Sequence, residues 1–317
     1  MRIAFIVDPL ASLKAYKDTS IALMRAAQAR GHAVWTIQQD AIHWSPLHGV
    51  CAEAVHLEML ADDKDWFSEI DRHVVALRDF RAVLMRKDPP FDLEYVTTTW
   101  LLERAEAEGA RVFNRPRALR DHSEKLALCE FASFSVPTVV ARQASVIHSF
   151  IELERDTILK PLDGMGGSGI FRVRHDDPNR NVIVEMLGGN GARTMMAQRY
   201  IPEIADGDKR ILLVGGEVVP YCLARIPQAG ETRGNLAAGG RGVARELSAR
   251  DRVIASTLAP VLAARGLLLV GLDVIGDWLT EINVTSPTCM VEIAEQTGFD
   301  AAEMFLLALE RECLSKP

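Results

Sequence analysis

Val270-Gly271-Leu272-Asp273-Val274-Ile275-Gly276-Asp277-Trp278-Leu279-Thr280-Glu281-Ile282-Asn283 contains two apolar runs that flank a Gly-Asp dipeptide. This arrangement predicts a β-hairpin in which residues 267–274 pair with residues 279–283. Side chains two positions apart on a strand leave the same face of the sheet, so Glu281 and Asn283 share one face. With the turn centred on Gly276-Asp277, Asp273 comes roughly opposite Glu281. The hairpin is therefore predicted to bring three oxygen donors together.

Asp273, Glu281 and Asn283 are candidate metal ligands. Mg²⁺ accepts a few hard oxygen ligands from the protein when nucleotide phosphates and water supply the others. A carboxylate in a strand as apolar as that of Asp273 needs either a cation or hydrogen-bond donors beside it. The alternative interpretation is structural, with Asp and Asn serving a turn and Glu281 lying on an exposed edge.

A glycine-rich loop at residues 163–169, Asp-Gly-Met-Gly-Gly-Ser-Gly, formally matches GxGxxG at Gly164, Gly166 and Gly169. A Rossmann fingerprint requires a helix after the last glycine, whereas Ile170-Phe171-Arg172-Val173 is typical of a strand. The Walker GK[ST] sequence and the kinase motifs that accompany a glycine loop are missing from the sequence. Two interpretations stay open: a strand-to-strand hairpin whose bare amides approach phosphate, or a tight turn that needs positive φ.

Two lysines are candidates for phosphate binding. Lys160 follows the apolar strand 157–159 and directly precedes the glycine loop, where its charge could hold an α- or β-phosphate. Lys125 lies in the first turn of a helix predicted from Ser123 to Phe131. Each lysine could instead be a solvated surface residue.

A long loop at residues 226–242, IPQAGETRGNLAAGGRG, contains five glycines and two arginines. Loops of this length are either disordered or functional lids. A lid carrying Arg233 or Arg241 would exclude water from a reactive intermediate. The hairpin that precedes the loop, predicted from residues 210–214 and 217–225, presents Arg210 and Arg225 for fixed contacts.

Composition sets limits on the class of protein. The 317-residue chain has a net charge of -7, which opposes nonspecific binding of nucleic acid. It has no run of eighteen apolar residues for a bilayer, and its first residues are typical of a strand rather than a signal peptide, so a cytoplasmic protein is expected. The five cysteines form no CxxC pair, which indicates reduced thiols. Arginines nevertheless concentrate between residues 193 and 245, where a site for a small polyanion is expected.

The order of patterns along the chain predicts three modules. Alternating strands and helices up to about residue 122 indicate a parallel α/β layer, with strands at 3–7, 33–37, 81–85 and 111–114 and helices at 18–30 and 93–108. Residues 43–66 show no clear periodicity and are left open. Short strands and turns follow to residue 200, then the two hairpins, and a single helix at residues 291–314 ends the chain.

Six stretches resemble the bacterial, prokaryotic-type glutathione synthetases of the ATP-grasp superfamily, and the resemblance extends over nearly the whole chain. They are Leu84-Met85-Arg86-Lys87-Asp88-Pro89-Pro90-Phe91-Asp92, Leu159-Lys160-Pro161-Leu162-Asp163-Gly164-Met165-Gly166-Gly167, Asp206-Gly207-Asp208-Lys209-Arg210, Pro220-Tyr221-Cys222-Leu223-Ala224-Arg225-Ile226-Pro227, Glu231-Thr232-Arg233-Gly234-Asn235-Leu236 and Thr280-Glu281-Ile282-Asn283-Val284-Thr285-Ser286-Pro287-Thr288.

The resemblance implies an α/β fold with an N-terminal parallel α/β (pre-ATP-grasp) domain at residues 1–122. An ATP-grasp fold of two α+β subdomains that grip the nucleotide would follow, at 123–200 with the glycine loop and at 201–317 with the metal hairpin and the lid. The implied activity joins γ-glutamylcysteine to glycine through an acyl phosphate, with ATP as co-substrate and Mg²⁺, or alternatively Mn²⁺, as the metal. A homo-oligomer, specifically a homotetramer, is implied, with neither nucleic acid nor membrane as a partner.

The resemblance also implies roles for individual residues. The ATP contacts would be Lys125, Lys160, Gly164, Gly166, Gly167, Gln198, Arg199, Tyr200, Ile201 and Asp208. Asp273, Glu281 and Asn283 would hold the metal. Arg86 and Arg241 would bind substrate, and Arg210, Arg225 and Arg233 would be catalytic.

Two rival interpretations stay open at this point. One is a different ligase of the same class, such as an enzyme that adds an amino acid to a peptide C-terminus or joins two D-alanines. The other is a regulatory module that binds ATP without turnover. The arginines and candidate metal ligands argue against the second.

Overall fold

The computed structural model describes residues 1–164, 166–231, 233–234, 236 and 239–314. Three β-sheets organise this part of the chain. Each sheet is built from one of the three predicted modules, although the boundaries placed after residues 122 and 200 stay predictions.

The N-terminal sheet has six strands in the order β4-β3-β2-β1-β5-β6. Its elements are β1 (Arg2–Val7), α1 (Thr19–Ala29), β2 (Ala33–Ser45), β3 (Gly49–Met59), β4 (Phe67–Ala76), β5 (Ala82–Met85), α2 (Leu93–Ala107), β6 (Val112–Phe113) and α3 (Pro116–Asp121). The predicted parallel layer is confirmed for β2, β1, β5 and β6. Residues 43–66, left open by the sequence, belong largely to an antiparallel hairpin of β2 and β3, which β4 extends.

The middle sheet is antiparallel, in the order β7-β10-β8-β9. Its elements are β7 (Thr138–Ala141), α4 (Ala144–Glu154), β8 (Asp156–Pro161), β9 (Phe171–Arg174), α5 (Arg180–Leu187) and β10 (Met195–Arg199). Ile147 and Ile151 of α4 pack on Leu159 of β8 and Val173 of β9 to form a small core. The glycine loop joins β8 to β9, so the predicted strand-to-strand connection is confirmed.

The C-terminal sheet is also antiparallel, in the order β13-β12-β11-β14-β15. Its elements are β11 (Asp208–Val214), β12 (Glu217–Ile226), β13 (Arg241–Glu246), α6 (Ala249–Ala264), β14 (Leu269–Ile275), β15 (Trp278–Asn283), α7 (Met290–Thr297) and α8 (Ala301–Leu314). Both predicted hairpins are confirmed, β11 with β12 and β14 with β15. Asp273 pairs with Glu281, as the sequence predicts, and Gly271 pairs with Asn283.

Two predicted helices are wrong in form. The single helix at 291–314 is broken at Gly298, whose φ of 74° ends α7, and the Asp300 carboxylate then accepts a hydrogen bond from Glu303 N (2.9 Å) at the start of α8. The helix predicted from Ser123 to Phe131 is instead a run of 3₁₀ turns at Leu126–Phe134 with non-helical φ and ψ at Phe131. Local pattern missed both breaks because apolar residues continue across them.

The N-terminal and C-terminal sheets are joined by a buried amide. Asn114 Nδ2 donates to Leu269 O and Val284 O, at 2.8 Å each, and Asn114 Oδ1 accepts from Leu269 N at 3.0 Å. Apolar clusters also combine residues of both sheets. Among the described residues, none of the helices has the length and apolar character needed to cross a membrane.

Candidate functional site

Glu281 lies at the centre of the site, facing two buried lysines. Lys125 Nζ lies 3.4 Å and Lys160 Nζ 3.6 Å from Glu281 Oε1. Lys125 also donates to Gly164 O in the glycine loop (2.8 Å), and Lys160 donates to Thr280 O (3.3 Å). Burial lowers the pKa of Lys160, and the nearby Glu281 charge opposes that shift. Neither lysine is a solvated surface residue, because each is only 4% exposed.

The first cavity has a cationic end and an apolar end. Its described lining residues are Lys125, Ile158, Lys160, Pro161, Gly164, Gly166, Gly167, Ser168, Ile170, Gln198, Arg199, Tyr200, Ile201, Ile204, Asp208, Arg233, Gly234, Asp273, Ile275, Thr280 and Glu281. The lysines and the glycine loop form the end suited to phosphates, and the isoleucines and Tyr200 form a slot suited to a flat aromatic base. All ten residues predicted to contact ATP line this one cavity.

Tyr200 in this slot is held from outside the cavity. The Arg172 guanidinium lies 3.6 Å from the centre of the Tyr200 ring and is itself bound to Asp156 by hydrogen bonds of 2.9 and 2.6 Å. Tyr200 N donates to Asp156 O (2.9 Å). These contacts fix the ring and the backbone of the segment together.

Two arginines bind the carboxylate of Asp273. Arg210 donates through Nε (2.6 Å) and Nη2 (3.1 Å), and Arg225 Nη2 lies 2.9 Å from Asp273 Oδ2. Arg225 Nη2 also contacts Asp208 Oδ2 at 2.5 Å. Burial alone would raise the pKa of Asp273, but Arg210 and Arg225 outweigh burial and hold this pKa well below its ordinary value. Asp273 is therefore an anion held between two cations.

Asp208 has a different electrostatic environment. Burial raises its pKa to about 7 in spite of Arg225, and the neighbouring Asp273 charge acts in the same direction as burial. Asp208 Oδ1 is buried and accepts no hydrogen bond from the described part of the chain. A buried acceptor without a donor is costly. A hydroxyl group of a bound ligand, such as a ribose, would satisfy it.

The second cavity meets the first at the hairpin. Its described lining residues are Asp88, Pro89, Glu124, Gly164, Gly166, Arg210, Arg225, Leu236, Asp273, Glu281, Asn283, Thr285, Ser286, Pro287, Thr288 and Cys289. Gly164, Gly166, Asp273 and Glu281 line both cavities. The glycine loop and the two hairpin carboxylates therefore separate a nucleotide-shaped space from a second, arginine-lined space.

The predicted metal ligands form a suitable set of donors. Asp273 and Glu281 are cross-strand partners, and Asn283 Nδ2 donates to Gly271 O (3.3 Å), which leaves the amide oxygen as its accepting end. Within the described ranges, no three His, Cys, Asp or Glu side chains cluster as a metal cage. Two carboxylates and one amide fit a hard cation that takes its other ligands from phosphate and water.

Of three other predicted arginines, only Arg233 lines one of the two cavities. Arg233 lines the first cavity and its Nε donates to Glu231 (2.8 Å). Arg86 is buried behind the second cavity, where it donates to Ser20 Oγ (3.1 Å) and Pro287 O (2.9 Å). Arg241 is exposed at the start of β13 and is not among the described residues that line either cavity. The substrate contacts of Arg86 and Arg241 stay predictions.

Part of the predicted lid lies outside the described residues, namely Thr232, Asn235, Ala237 and Ala238, as does Met165 of the glycine loop. Of the described lid residues, Gly234 lines the first cavity and Leu236 lines the second. Gln228 Nε2 donates to Gly239 O (2.9 Å) across the base of the loop.

Several cavity residues were not singled out from the sequence. Glu124 and Asp88 line the second cavity, together with Ser286 and Cys289. Glu124 directly precedes Lys125, and Asp88 lies within the stretch 84–92 that resembles the family, so proximity to a candidate residue was the available signal. Isoleucines that form the slot, such as Ile158, cannot be distinguished in sequence from ordinary core residues.

Comparison with known proteins identifies the family. The model of the prokaryotic glutathione synthetase N-terminal domain matches residues 1–120, and that of the prokaryotic glutathione synthetase ATP-grasp domain matches residues 124–298. The chain is 60% identical over 313 residues to a glutathione synthetase of Ralstonia nicotianae, covering 98% of this chain and 96% of that protein. It is 57% identical over 320 residues to one of Bordetella parapertussis, covering 98% and 99%.

Solved structures with the same fold are more distant in sequence. D-cycloserine synthetase DcsG superposes with a TM-score of 0.68 at 17% identity, covering 99% of this chain and 100% of that one. The ATP-grasp ligase PsnB, complexed with minimal precursor, Mg and ADP, gives 0.62 at 17% identity, covering 99% and 98%. These structures support the ATP-grasp fold. The chain therefore belongs to the prokaryotic glutathione synthetases, an ATP-grasp family of ATP-dependent ligases.

Proposed function

We propose that this chain joins γ-glutamylcysteine to glycine at the expense of ATP, through an acyl phosphate formed where the two cavities meet. The observation that carries the proposal is the shared wall of Gly164, Gly166, Asp273 and Glu281 between the cavities. A phosphoryl group at the end of a nucleotide in the first cavity would reach a carboxylate in the second across this wall. The family membership supplies the identity of the substrates.

In the first step, an oxygen of the cysteinyl carboxylate attacks the γ-phosphorus of ATP, and ADP leaves. Lys125 and Lys160 hold the phosphates by charge, and the backbone of the glycine loop lies beside them. Asp273, Glu281 and Asn283 would hold a divalent metal ion, which would neutralise part of the phosphate charge. Mg²⁺ is our proposal for this metal, and the Mg present in the PsnB complex supports it.

In the second step, the glycine amine attacks the acyl carbon, the tetrahedral intermediate collapses and inorganic phosphate leaves. The glycine ammonium releases one proton to solvent before it attacks, and the second proton lost on forming the amide ends on the departing phosphate, so the products are the peptide amide, ADP and phosphate. Arg210 and Arg225 line the second cavity and are placed to stabilise negative charge on the intermediate. The lid, which includes Arg233, would keep water from hydrolysing the acyl phosphate.

The test is ADP release measured with ATP, γ-glutamylcysteine, glycine and the divalent metal omitted in turn. We expect rapid release only with all four present, together with one product whose mass equals γ-glutamylcysteine plus glycine minus water. The proposal would be contradicted by rapid ADP release when γ-glutamylcysteine or glycine is omitted. It would also be contradicted if D-alanine replaced glycine equally well in product formation. A homotetramer is proposed on family resemblance, and light scattering of the purified protein checks it.

A further inference from the structure

Glu124 is a half-buried carboxylate in the wall of the second cavity. It directly precedes Lys125, and its main-chain oxygen accepts a hydrogen bond from Ile282 N at 2.9 Å. This contact fixes Glu124 to β15, between the ligand pair Glu281 and Asn283. The side chain is thus anchored to the element that carries the proposed metal ligands.

The hydrogen bonds of the Glu124 side chain all end on one oxygen. Oε1 accepts from Val284 N (2.9 Å), Thr285 N (3.1 Å) and Thr285 Oγ1 (2.9 Å). All three donors are neutral, and no described Lys, Arg or His forms an ion pair with Glu124. The remaining oxygen, Oε2, has no hydrogen bond to the described residues, and Glu124 lines the second cavity.

The other carboxylates of the second cavity each have a cation beside them. Asp273 is bound by Arg210 and Arg225. Glu281 faces Lys125 and Lys160. Asp88 accepts a hydrogen bond from Ser286 Oγ, and its negative charge opposes the burial that lowers the pKa of the nearby Arg86. Glu124 differs from Asp273 and Glu281 because no cation in the described part of the chain forms an ion pair with it.

A half-buried carboxylate without an ion pair gains most from a cation supplied by the substrate. Of the groups in the proposed reaction, the amine of the incoming amino acid arrives as an ammonium and must stop close to the acyl phosphate. Glu124 lies next to Lys125 and beside the hairpin that both cavities share, so it is on the phosphate side of the second cavity. The γ-glutamyl ammonium lies at the opposite end of its peptide from the reacting carboxylate.

We propose that Glu124 binds the ammonium group of glycine through Oε2 and holds the amine beside the acyl phosphate. This role rests on the proposed function. Three fixed donors on Oε1 set the orientation of the carboxylate before the amino acid arrives, so little reorganisation is needed on binding.

The test is Glu124→Gln, whose amide oxygen can still accept the three hydrogen bonds while the charge is lost. We expect the KM for glycine to rise about 10- to 100-fold, as for the loss of a hydrogen bond to a charged partner. The KM values for ATP and γ-glutamylcysteine should change by less than about threefold. Glu124→Asp, which keeps the charge, should restore part of the affinity for glycine and serves if the Gln variant folds poorly.

Hydroxylamine separates this proposal from the proposed function, because it is largely uncharged at neutral pH and traps an acyl phosphate. The Glu124→Gln variant should form the hydroxamate of γ-glutamylcysteine at a rate close to that of wild type. Failure of the wild-type enzyme to form hydroxamate would instead overturn the acyl-phosphate mechanism. Glu108→Gln is the matched control, since Glu108 is half-buried and accepts from Val50 N (2.8 Å) outside both cavities.

A rise in the KM for γ-glutamylcysteine with an unchanged KM for glycine would overturn the assignment and place the peptide ammonium at Glu124. An equal rise in the KM values of all three substrates, or no rise in any of them, would also overturn the assignment. A purely structural role for Glu124 would lower hydroxamate formation together with ligation.

Discussion

The pairing of Arg210 and Arg225 with Asp273 is the residue-level feature on which the proposed chemistry depends. The cross-strand register places Arg210 opposite Asp273 and Arg225 opposite Asp208. Both guanidinium groups are nearly buried, so their charge is balanced by the two aspartates rather than by water. The arginines are therefore held rigidly before any anionic intermediate forms, which lowers the cost of stabilising it.

Replacing Arg225 is predicted to impair turnover more than binding of ATP. Arg225→Ala should lower kcat about 100- to 1,000-fold, as for the loss of one donor to an oxyanion. It should also lower the melting temperature, because Asp208 and Asp273 then share one cation fewer. Arg225→Lys keeps the charge but loses the separate Nε donor to Asp208 O (3.2 Å), and should lie between Ala and wild type. Wild-type kcat in a folded Arg225→Ala enzyme, checked by circular dichroism, would exclude the catalytic role.

At the residue level, the sequence predicted the pairing of Asp273 with Glu281 but not its contact with Arg210. Asp273 opposite Glu281 follows from the length of a short hairpin, because pairing across a tight turn is local. The contact of Asp273 with Arg210 could not be predicted in the same way. It depends on β11 pairing with β14, strands separated by β12, β13 and α6.

Gly271 shows how a single strand makes room for the site. A Cβ at Gly271 of β14 would lie 2.8 Å from Arg210 Cδ and 2.9 Å from Pro287 Cβ. Both distances are shorter than real Cβ contacts. The missing side chain thus lets Arg210 pass along the strand to Asp273 while Pro287 closes the wall of the second cavity.

Gly271→Ala is predicted to damage the site more than the fold. We expect a loss of roughly 1–3 kcal/mol of folding free energy from overpacking. The displacement of Arg210 should in addition lower kcat at least tenfold, which kinetics at saturating substrates would measure. Gly242→Ala is the control on β13, since its Cβ would meet only the flexible end of Leu223, at 3.1 Å. If both variants lost activity equally, the special role of Gly271 would be refuted.

At the scale of elements, the C-terminal helices show where apolar periodicity fails to predict a helix boundary. Apolar positions recur from Val291 to Leu314, so periodicity alone predicts one helix. Gly298 adopts positive φ and Asp300 caps the next helix, so α7 and α8 pack as separate units. Ala301, Phe305 and Leu309 of α8 enter the core shared with α1. The break is therefore made by local end signals, which the periodicity of apolar positions does not reveal.

An ion-pair cluster ties the C-terminal helix back to the start of the chain. Glu310 of α8 accepts hydrogen bonds from Arg30 Nε (2.8 Å) and Nη2 (2.6 Å), and lies 2.7 Å from His32 Nε2. Arg30 also contacts Glu303. Because Arg30 follows α1 and His32 precedes β2, the cluster joins the first and last parts of the molecule.

Glu310 is predicted to make stability depend on pH. Hydrogen bonding by Arg30 lowers the pKa of Glu310 to about 2, from 4.5. The unfolded chain therefore binds the proton more readily, so the stabilisation is complete above about pH 4.5 and is lost as pH falls through about 2. Glu310→Gln should lower the free energy of unfolding in urea by roughly 1 kcal/mol at pH 7, since the group is partly exposed.

The difference between wild type and Glu310→Gln should shrink as the pH is lowered from 4.5 towards the limit of reversible unfolding. Glu217→Gln is the control, because its pair with Arg311 is exposed on both sides and should have almost no effect at any pH. An effect of Glu310→Gln that stays constant with pH would show that lost packing, rather than lost charge, is responsible.

The sequence by itself determined the local features: the α/β class, both C-terminal hairpins, the strand-to-strand glycine loop and the resemblance that implied the family. These features follow from short-range periodicity, turn residues and motif spacing, which need no knowledge of distant contacts. Only the tertiary structure decided that Asp273 lies between two arginines, that two cavities meet at the β14–β15 hairpin, and that Glu124 lines one of them without an ion pair to any described residue. Such arrangements depend on strand register and on the packing of separate sheets, which are set by contacts between residues far apart in the chain.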